Sequence, residues 1–178
     1  HLTLDYSGTS RQAPGFINCT RAGLHGAVAG SVLPTFAYDM QWNQGALAPV
    51  EIVAPDGLLC TAQFPAPVVA RNQTAHYIPA MAMDALSKAI PERVMAACGS
   101  PTNRTVFAGP HGRDGRPFSF MMISSGGMGA CDGKDGYSCT PYPSNSGSPP
   151  VEVIESVVPL TVRRKALRTD SGGAGEFR

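Results

Sequence analysis

Glycine is concentrated where this chain could do chemistry. Three segments of its C-terminal half carry the signal: Ser125-Gly126-Gly127-Met128-Gly129-Ala130, Asp132-Gly133-Lys134-Asp135-Gly136 and Asp170-Ser171-Gly172-Gly173-Ala174-Gly175. With no Cβ atoms in the way, successive backbone N–H groups in such loops converge on an anion, either a phosphate or a developing oxyanion. The same glycines also serve turns that need positive φ, and the residues alone leave both uses open. Asp135 can orient a Lys, a water or a metal-bound group, or can simply lie in a solvated turn. An EF-hand calcium loop does not fit, because Lys134 occupies the third position of the run that starts at Asp132. No G-x-S-x-G elbow, P-loop, H-E-x-x-H or Rossmann G-x-G-x-x-G occurs in the sequence.

These loops need a scaffold, and the hydrophobic pattern sketches it. Alternation predicts a strand over residues 2–6. A helix follows, with Asn18 or Thr20 to cap it, Leu24, Val28 and Val32 on one face, and Pro34 to end it. Gly23, Gly26 and Gly30 each cost that helix about 1 kcal/mol relative to Ala, and tight packing in a core is the expected reason. A second strand is predicted over 50–54, turned by Pro55-Asp56-Gly57 into a hairpin partner over 58–60. The most helical stretch is 74–97, with a stripe of Ile78, Ala82, Ala85 and Ala89, Met81 and Leu86 beside it, Pro79 in the first turn and a break at Pro91. His76, Met83 and Met95 read as surface or packing residues of this stretch. Residues 118–123 read as a buried strand, and 151–154 and 157–162 as two more. Between them, 124–150 is rich in Gly, Ser and Pro, the composition of a functional loop or an interface. Residues 170–175 read as a tight turn with positive φ at Gly172 or Gly173. The fold class is α+β: a mixed, largely antiparallel sheet with two main helices, forming a single partial domain over 1–178.

Composition limits the partners. Fourteen Lys and Arg against 13 Asp and Glu give a net charge of +1, so no overall field draws the chain to nucleic acid or to an anionic membrane. Charged residues make up only 15% of the 178, while 43% are hydrophobic and 20 are Gly, a surface suited to being covered by other protein. No run of about 18 apolar residues offers a membrane span. The five cysteines are odd in number and form no C-x-x-C pair, which fits free thiols in a reducing cytosol and a cytoplasmic location. Without a signal peptide, the triplets at Asn18, Asn72 and Asn103 read as coincidental rather than as glycosylation sites. The opening His1-Leu2-Thr3-Leu4-Asp5-Tyr6 reads as a strand already under way, so the start reads as cut.

The order of motifs along the whole chain closely resembles the hydantoinase B/oxoprolinase family. The motifs are Asp5-Tyr6-Ser7-Gly8-Thr9-Ser10, Asn18, Trp42-Asn43-Gln44-Gly45, Pro49-Val50-Glu51, Ala54-Pro55-Asp56-Gly57, Gly126-Gly127-Met128-Gly129-Ala130, Lys134-Asp135-Gly136, Pro150-Val151-Glu152-Val153-Ile154-Glu155 and Asp170-Ser171-Gly172-Gly173-Ala174-Gly175. That family includes subunits of ATP-dependent N-methylhydantoinases, the C-terminal half of 5-oxoprolinases, and related subunits of acetone and acetophenone carboxylases. Its chains are longer, so the resemblance implies the C-terminal portion of a hydantoinase B-type subunit, whose remaining portion is then a partner of this one.

The resemblance further implies a two-part enzyme. An A-type partner binds ATP with Mg and phosphorylates a small-molecule cyclic amide. Phosphorylating the amide oxygen turns a poor electrophile into one with a leaving group, which the B-type subunit then hydrolyses. A divalent metal such as Zn or Mn belongs to the region before the Asp-Tyr-Ser-Gly-Thr motif, so no metal role passes to His25, His76 or His111. The implied catalytic residues are Gly127, Gly129 and Asp135, with Gly126, Met128 and Asn145 contacting substrate in a chamber shared with the rest of the subunit. Between 140 and 148 the sequence departs from the family, with Thr140-Pro141-Tyr142-Pro143-Ser144-Asn145 in place of a His/Thr-Asn run. The alternatives are a ketone carboxylase, in which an enol phosphate attacks carboxylate, and a non-catalytic scaffold piece of such a complex.

Overall fold

The structure is a computed structural model that describes residues 1–99, 103–112, 115–140, 142 and 147–173. The chain divides into two compact units, His1–Ala97 and Cys98–Arg178.

In the first unit, β1 (Leu2–Asp5) pairs in parallel with β2 (Val50–Val53), Leu2 opposite Val50 and Asp5 opposite Val53. Parallel pairing needs a crossover, and α1 (Arg21–Phe36) lies between the two strands in sequence. Both strands alternate half-buried and exposed residues, so Leu2, Leu4, Val50 and Ile52 face the core. The Thr20 side chain caps α1 by accepting from the Gly23 N–H at 3.3 Å. Leu24, Val28 and Val32, spaced by four, are buried with Ala54, Leu58, Cys60 and Ile78 in one cluster. Pro34 does not end this helix. It sits within the last turn, where only the bond from its missing N–H is lost, and the helix runs on to Phe36. Gly23 has the packing reason expected of it, since a Cβ there would run into Cys19 Sγ, whereas a Cβ added at Gly26 or Gly30 would meet no atom within 4 Å beyond the helix's own backbone.

The expected hairpin after Pro55 does not form. Thr61, fully buried, donates to Pro55 O at 2.5 Å and accepts from the Leu58 N–H at 3.3 Å, folding residues 55–61 onto themselves. Leu58 bridges Arg11 instead. The long predicted helix is divided into α2 (Asn72–Ala75), α3 (Tyr77–Ser87) and a 3-10 turn at Pro91–Arg93. Pro79 lies in the first turn of α3 as expected, but the buried face is Ile78, Pro79, Ala82, Met83 and Leu86. Ala85, Ala89 and Met81 face solvent, because burying Met83 and Leu86 removes more apolar area from water than burying alanines.

In the second unit, β3 (Asn103–Pro110) and β4 (Pro117–Ser124) form an antiparallel hairpin, Asn103 opposite Ser124 and Pro110 opposite Pro117. The strand predicted at 118–123 is present, yet it is half-buried at Phe118, Phe120 and Met122 rather than enclosed. Both predicted strands at 151–154 and 157–162 are absent. Residues Val151–Val157 form α4, with Ile154 and Val158 buried four apart, and 159–162 is irregular. Pro150 ahead of the first turn favours the helix, and the spacing of Ile154 and Val158 outcompetes the alternation of Val151 and Val153. The α+β class and the two main helices thus stand, with one parallel and one antiparallel strand pair among the described residues. No helix among the described residues is long and apolar enough to cross a membrane.

Candidate functional site

The glycine loop continues from the C-terminal end of β4, and it is built by backbone packing on backbone. Gly99 N–H donates to Gly127 O at 3.1 Å, and a Cβ on Gly99 would lie 2.9 Å from the Gly126 carbonyl carbon. On its other side Met128 N–H donates to Tyr137 O at 2.8 Å, and a Cβ on Gly136 would overlap the Met128 carbonyl oxygen. Such close approach needs glycine on at least one strand of each contact. Gly127 has φ +116, a conformation that side-chain-bearing residues rarely adopt. The expectation of positive φ in a glycine loop therefore holds at Gly127. In the segment from Asp170 it falls on Asp170 itself, at φ 55, rather than on Gly172 or Gly173, while Ser171 Oγ donates to Arg168 O at 2.8 Å. Ala174 and Gly175 lie outside the described residues.

Gly127 and Gly129 are buried, Met128 is half-buried and Gly126 is exposed. Met128 uses its N–H on Tyr137, but among the described residues no acceptor engages the N–H of Gly127 or Gly129. Buried backbone donors are almost always paired. Asp135 is half-buried and engaged in interactions of its own, one residue before Gly136. Lys134 closes a tight turn with Cys131 and sets its ammonium 4.7 Å from the Tyr137 ring centroid. A hydrogen bond with Tyr137 holds the Lys134 ammonium above its ordinary pKa, so a positive charge stands beside the loop at neutral pH. Gly126, Gly127, Met128, Gly129 and Asp135 thus share one neighbourhood. Asn145 lies outside the described residues.

Asp5, Tyr6, Gly8, Thr9 and Ser10 of the Asp5-to-Ser10 motif, read in the sequence only as a marker of resemblance, line a cavity of about 800 Å³ in the first unit with Cys60, Thr74 and Tyr77. Ser7 donates to Asp5 Oδ1 through both its hydroxyl and its N–H, and these bonds hold the Asp5 carboxyl below its ordinary pKa. Burial pushes the Tyr6 phenol up to about 12. Asn18, also part of the resemblance, is fully buried and does not cap α1. Its Oδ1 accepts from Ala13 N–H at 2.7 Å, and its Nδ2 donates to Gly15 O and Pro67 O at 2.8 and 2.9 Å. Asn43 caps the 3-10 turn Gln44–Leu47 through Ala46 N–H. Among the described residues no three His, Cys, Asp or Glu side chains converge on a point that could hold a metal ion.

Comparison with known proteins agrees with this assembly of motifs. The model of the family described as hydantoinase B/oxoprolinase matches residues 1–178. The B subunit of a putative D-/L-hydantoinase of Pseudomonas sp. (strain NS671) is 32% identical over 99% of this chain and 31% of its own length. The beta chain of the caprolactamase of Pseudomonas jessenii is 32% identical over 94% of this chain and 30% of its own. The crystal structure of the ATP-dependent caprolactamase from that organism superposes with a TM-score of 0.71, covering 95% of this chain and 30% of the other at 29% identity. A nucleotide-free acetone carboxylase structure reaches 0.73 at 17% identity, over 89% of this chain and 22% of its own, a likeness of fold alone. The chain spans about a third of the length of the hydantoinase and caprolactamase subunits. With the glycine loop, the Asp5 turn and the Asn18 anchor in place and the family matched from His1 to Arg178, the chain belongs to the hydantoinase B/oxoprolinase family.

Proposed function

We propose that this chain is part of the B-type subunit of an ATP-dependent cyclic-amide hydrolase, acting on a substrate phosphorylated by an A-type partner. The family match along the whole chain supports the class of reaction. The identity to hydantoinase and caprolactamase subunits favours a hydrolase over a carboxylase, whose likeness is confined to the fold. In this reading ATP and Mg act on the A-type partner. Among the described residues no His, Cys, Asp and Glu side chains gather into a metal-ligand set.

The observation that carries a role for this segment is that, among the described residues, the N–H groups of buried Gly127 and Gly129 are unengaged. On a phosphorylated amide the former carbonyl oxygen already carries the phosphoryl group, so the negative charge to be held is that of the phosphoryl oxygens, as water adds to the ring carbon and the ring nitrogen takes up a proton and leaves. Backbone donors fixed before the reaction stabilise that charge without reorganising, because the packing of Gly99 and Gly136 already sets the loop. In this reading Met128 and Gly126 contact the substrate and Asp135 orients a polar group beside the loop, and Asn145, outside the described residues, is a further substrate contact. Soluble, cytoplasmic assembly with the rest of the B-type subunit and with the A-type partner completes the proposal.

Gly129 provides the clean test, because its φ is not in the left-handed region, whereas an alanine at Gly127 would strain φ +116. In the full-length subunit with its partner, Gly129→Ala is expected to lower kcat by about 10²-fold or more, the usual loss on weakening one oxyanion donor. Melting temperature and subunit association should hold. Activity that falls only in step with folding or assembly would assign the loop to packing alone.

A further inference from the structure

Arg104 stands on β3 directly opposite Ile123 of β4, so the two side chains leave the same face of the hairpin. The next pair on that face, Val106 and Met121, is exposed at 62% and 52%. At Arg104 the face is closed instead. The Nε and Nη2 atoms of its guanidinium are buried, and among the described residues neither has a hydrogen-bond partner. These two atoms share one edge of the planar fork, the edge whose parallel N–H bonds match two oxygens of a single carboxylate or phosphoryl group. A buried charge without a partner is strongly destabilising. Salt bridges among the described residues join His1 to Glu51 and Arg21 to Asp56, all in the first unit, so neither serves this edge.

The position of the orphaned edge gives it a use. Ile123 is followed within a few residues by Gly126-Gly127-Met128-Gly129, whose Gly127 and Gly129 N–H groups are likewise unengaged among the described residues. A cationic fork and free backbone donors therefore lie at the same end of one hairpin, within one compact unit. We propose that Arg104 anchors the anionic group of the substrate at the glycine loop, binding two oxygens of a carboxylate or phosphoryl group through Nε and Nη2. The proposal rests on the function given above and deepens it. The amide oxygen phosphorylated by the partner is one source of such an anion, and a carboxylate carried on the ring is the other.

The test uses the full-length subunit with its A-type partner and two lactams of equal ring size, one bearing a carboxylate beside the nitrogen and one without it. If the ring carboxylate is the anion, Arg104→Gln raises KM for the carboxylated ring on the order of 10²-fold, the scale of a lost charge-assisted bidentate pair, and leaves the plain ring within a few-fold. If the phosphoryl group is the anion, kcat falls for both rings while KM holds. Arg104→Lys, which keeps the charge without the fork, recovers only part of either loss. Unchanged kinetics for both rings in Arg104→Gln would overturn the proposal. A binding measurement separates this failure from failure of the proposed function: even an assembly that hydrolyses neither ring should gain melting temperature from inorganic phosphate, and Arg104→Met should abolish that gain. Without phosphate, Arg104→Met should itself raise the melting temperature, because it removes an uncompensated buried charge. A fall instead would show that a protein carboxylate already fills the edge, and would overturn the proposal.

Discussion

The two units are held together by different chemistry. His1–Ala97 is fastened by side chains: Thr20 caps α1, Asn18 ties the 13–15 loop to Pro67, Thr61 closes the turn after β2, and Arg21 reaches Ala54 O and Asp56 at 2.7 and 2.6 Å. Its core is a cluster of aliphatic residues from α1, α3 and the strands. In Cys98–Arg178 the buried apolar side chains among the described residues are Ile154 and Val158, and the glycine loop is fixed instead by main chain lying on main chain at Gly99, Gly127 and Gly136. A packed side chain can be exchanged for another of similar volume, because neighbouring rotamers adjust. Contact between two backbones this close needs glycine on at least one side. It also sets N–H groups rigidly without any side chain to shield them, which suits a site that must hold an anion.

The sharpest consequence of that difference falls at Gly136. A Cβ there would overlap the Met128 carbonyl oxygen, an atom of main chain that cannot rotate away. Gly136→Ala is therefore expected to destabilise the second unit by about 3 kcal/mol, the upper end of the usual overpacking cost. Hydrogen exchange resolved by segment is the measurement, and protection should fall in 126–139 while β1, β2 and α1 keep theirs. Equal loss in both units would mean that they do not hold their stability separately. The next largest effect belongs to the first unit. Asn18→Ala leaves the Ala13 N–H and the Gly15 and Pro67 carbonyls without their buried partner. The expected cost is about 2–3 kcal/mol, from orphaned buried groups. Trp42, the single tryptophan, reports it, because its indole N–H bonds Ala37 O just beyond the end of α1. A smaller loss than that of Thr20→Ala, about 1 kcal/mol for a cap, would show that water replaces the amide readily.

The same contrast explains what could be read from the residues alone. Helix α1 was legible because Leu24, Val28 and Val32 repeat at a helical spacing and Thr20 offers a cap. Positive φ was legible for the glycine segments as a group, because glycine adopts it without strain, but not for Gly127 or Gly133 in particular, where it falls. By contrast, α4 reads equally as alternation or as helix over seven residues, and only burial of Ile154 and Val158 decides it. Strand β3 was missed because it begins with Asn103-Arg104-Thr105, polar residues without alternation, and its partner lies across a turn. Main-chain contacts such as Gly136 on Met128 leave no periodic trace, and a single arginine in a strand has no spacing at all. Those features depend on tertiary proximity, which is why the loop's glycines and the use of their N–H groups were visible as candidates while the main-chain contacts that set the loop, and Arg104, were not.

Gly26 probes the smallest of these differences. It lies inside α1, where glycine costs a helix about 1 kcal/mol relative to alanine through its backbone entropy. Gly23 on the same helix has Cys19 Sγ where a Cβ would go, so its glycine is required by packing, whereas a Cβ added at Gly26 would meet no atom within 4 Å beyond the helix's own backbone. Gly26→Ala should therefore stabilise the first unit by about 1 kcal/mol, read from Trp42 fluorescence on unfolding of the 178-residue chain. Gly23→Ala should lower stability in the same measurement. In the full-length subunit the outcome carries more information. A gain retained there would leave Gly26 without a packing reason, while a gain in the 178-residue chain that becomes a loss in the full-length protein would place another main chain against this face of α1. That result would extend to the first unit the backbone-on-backbone contact that otherwise distinguishes the second.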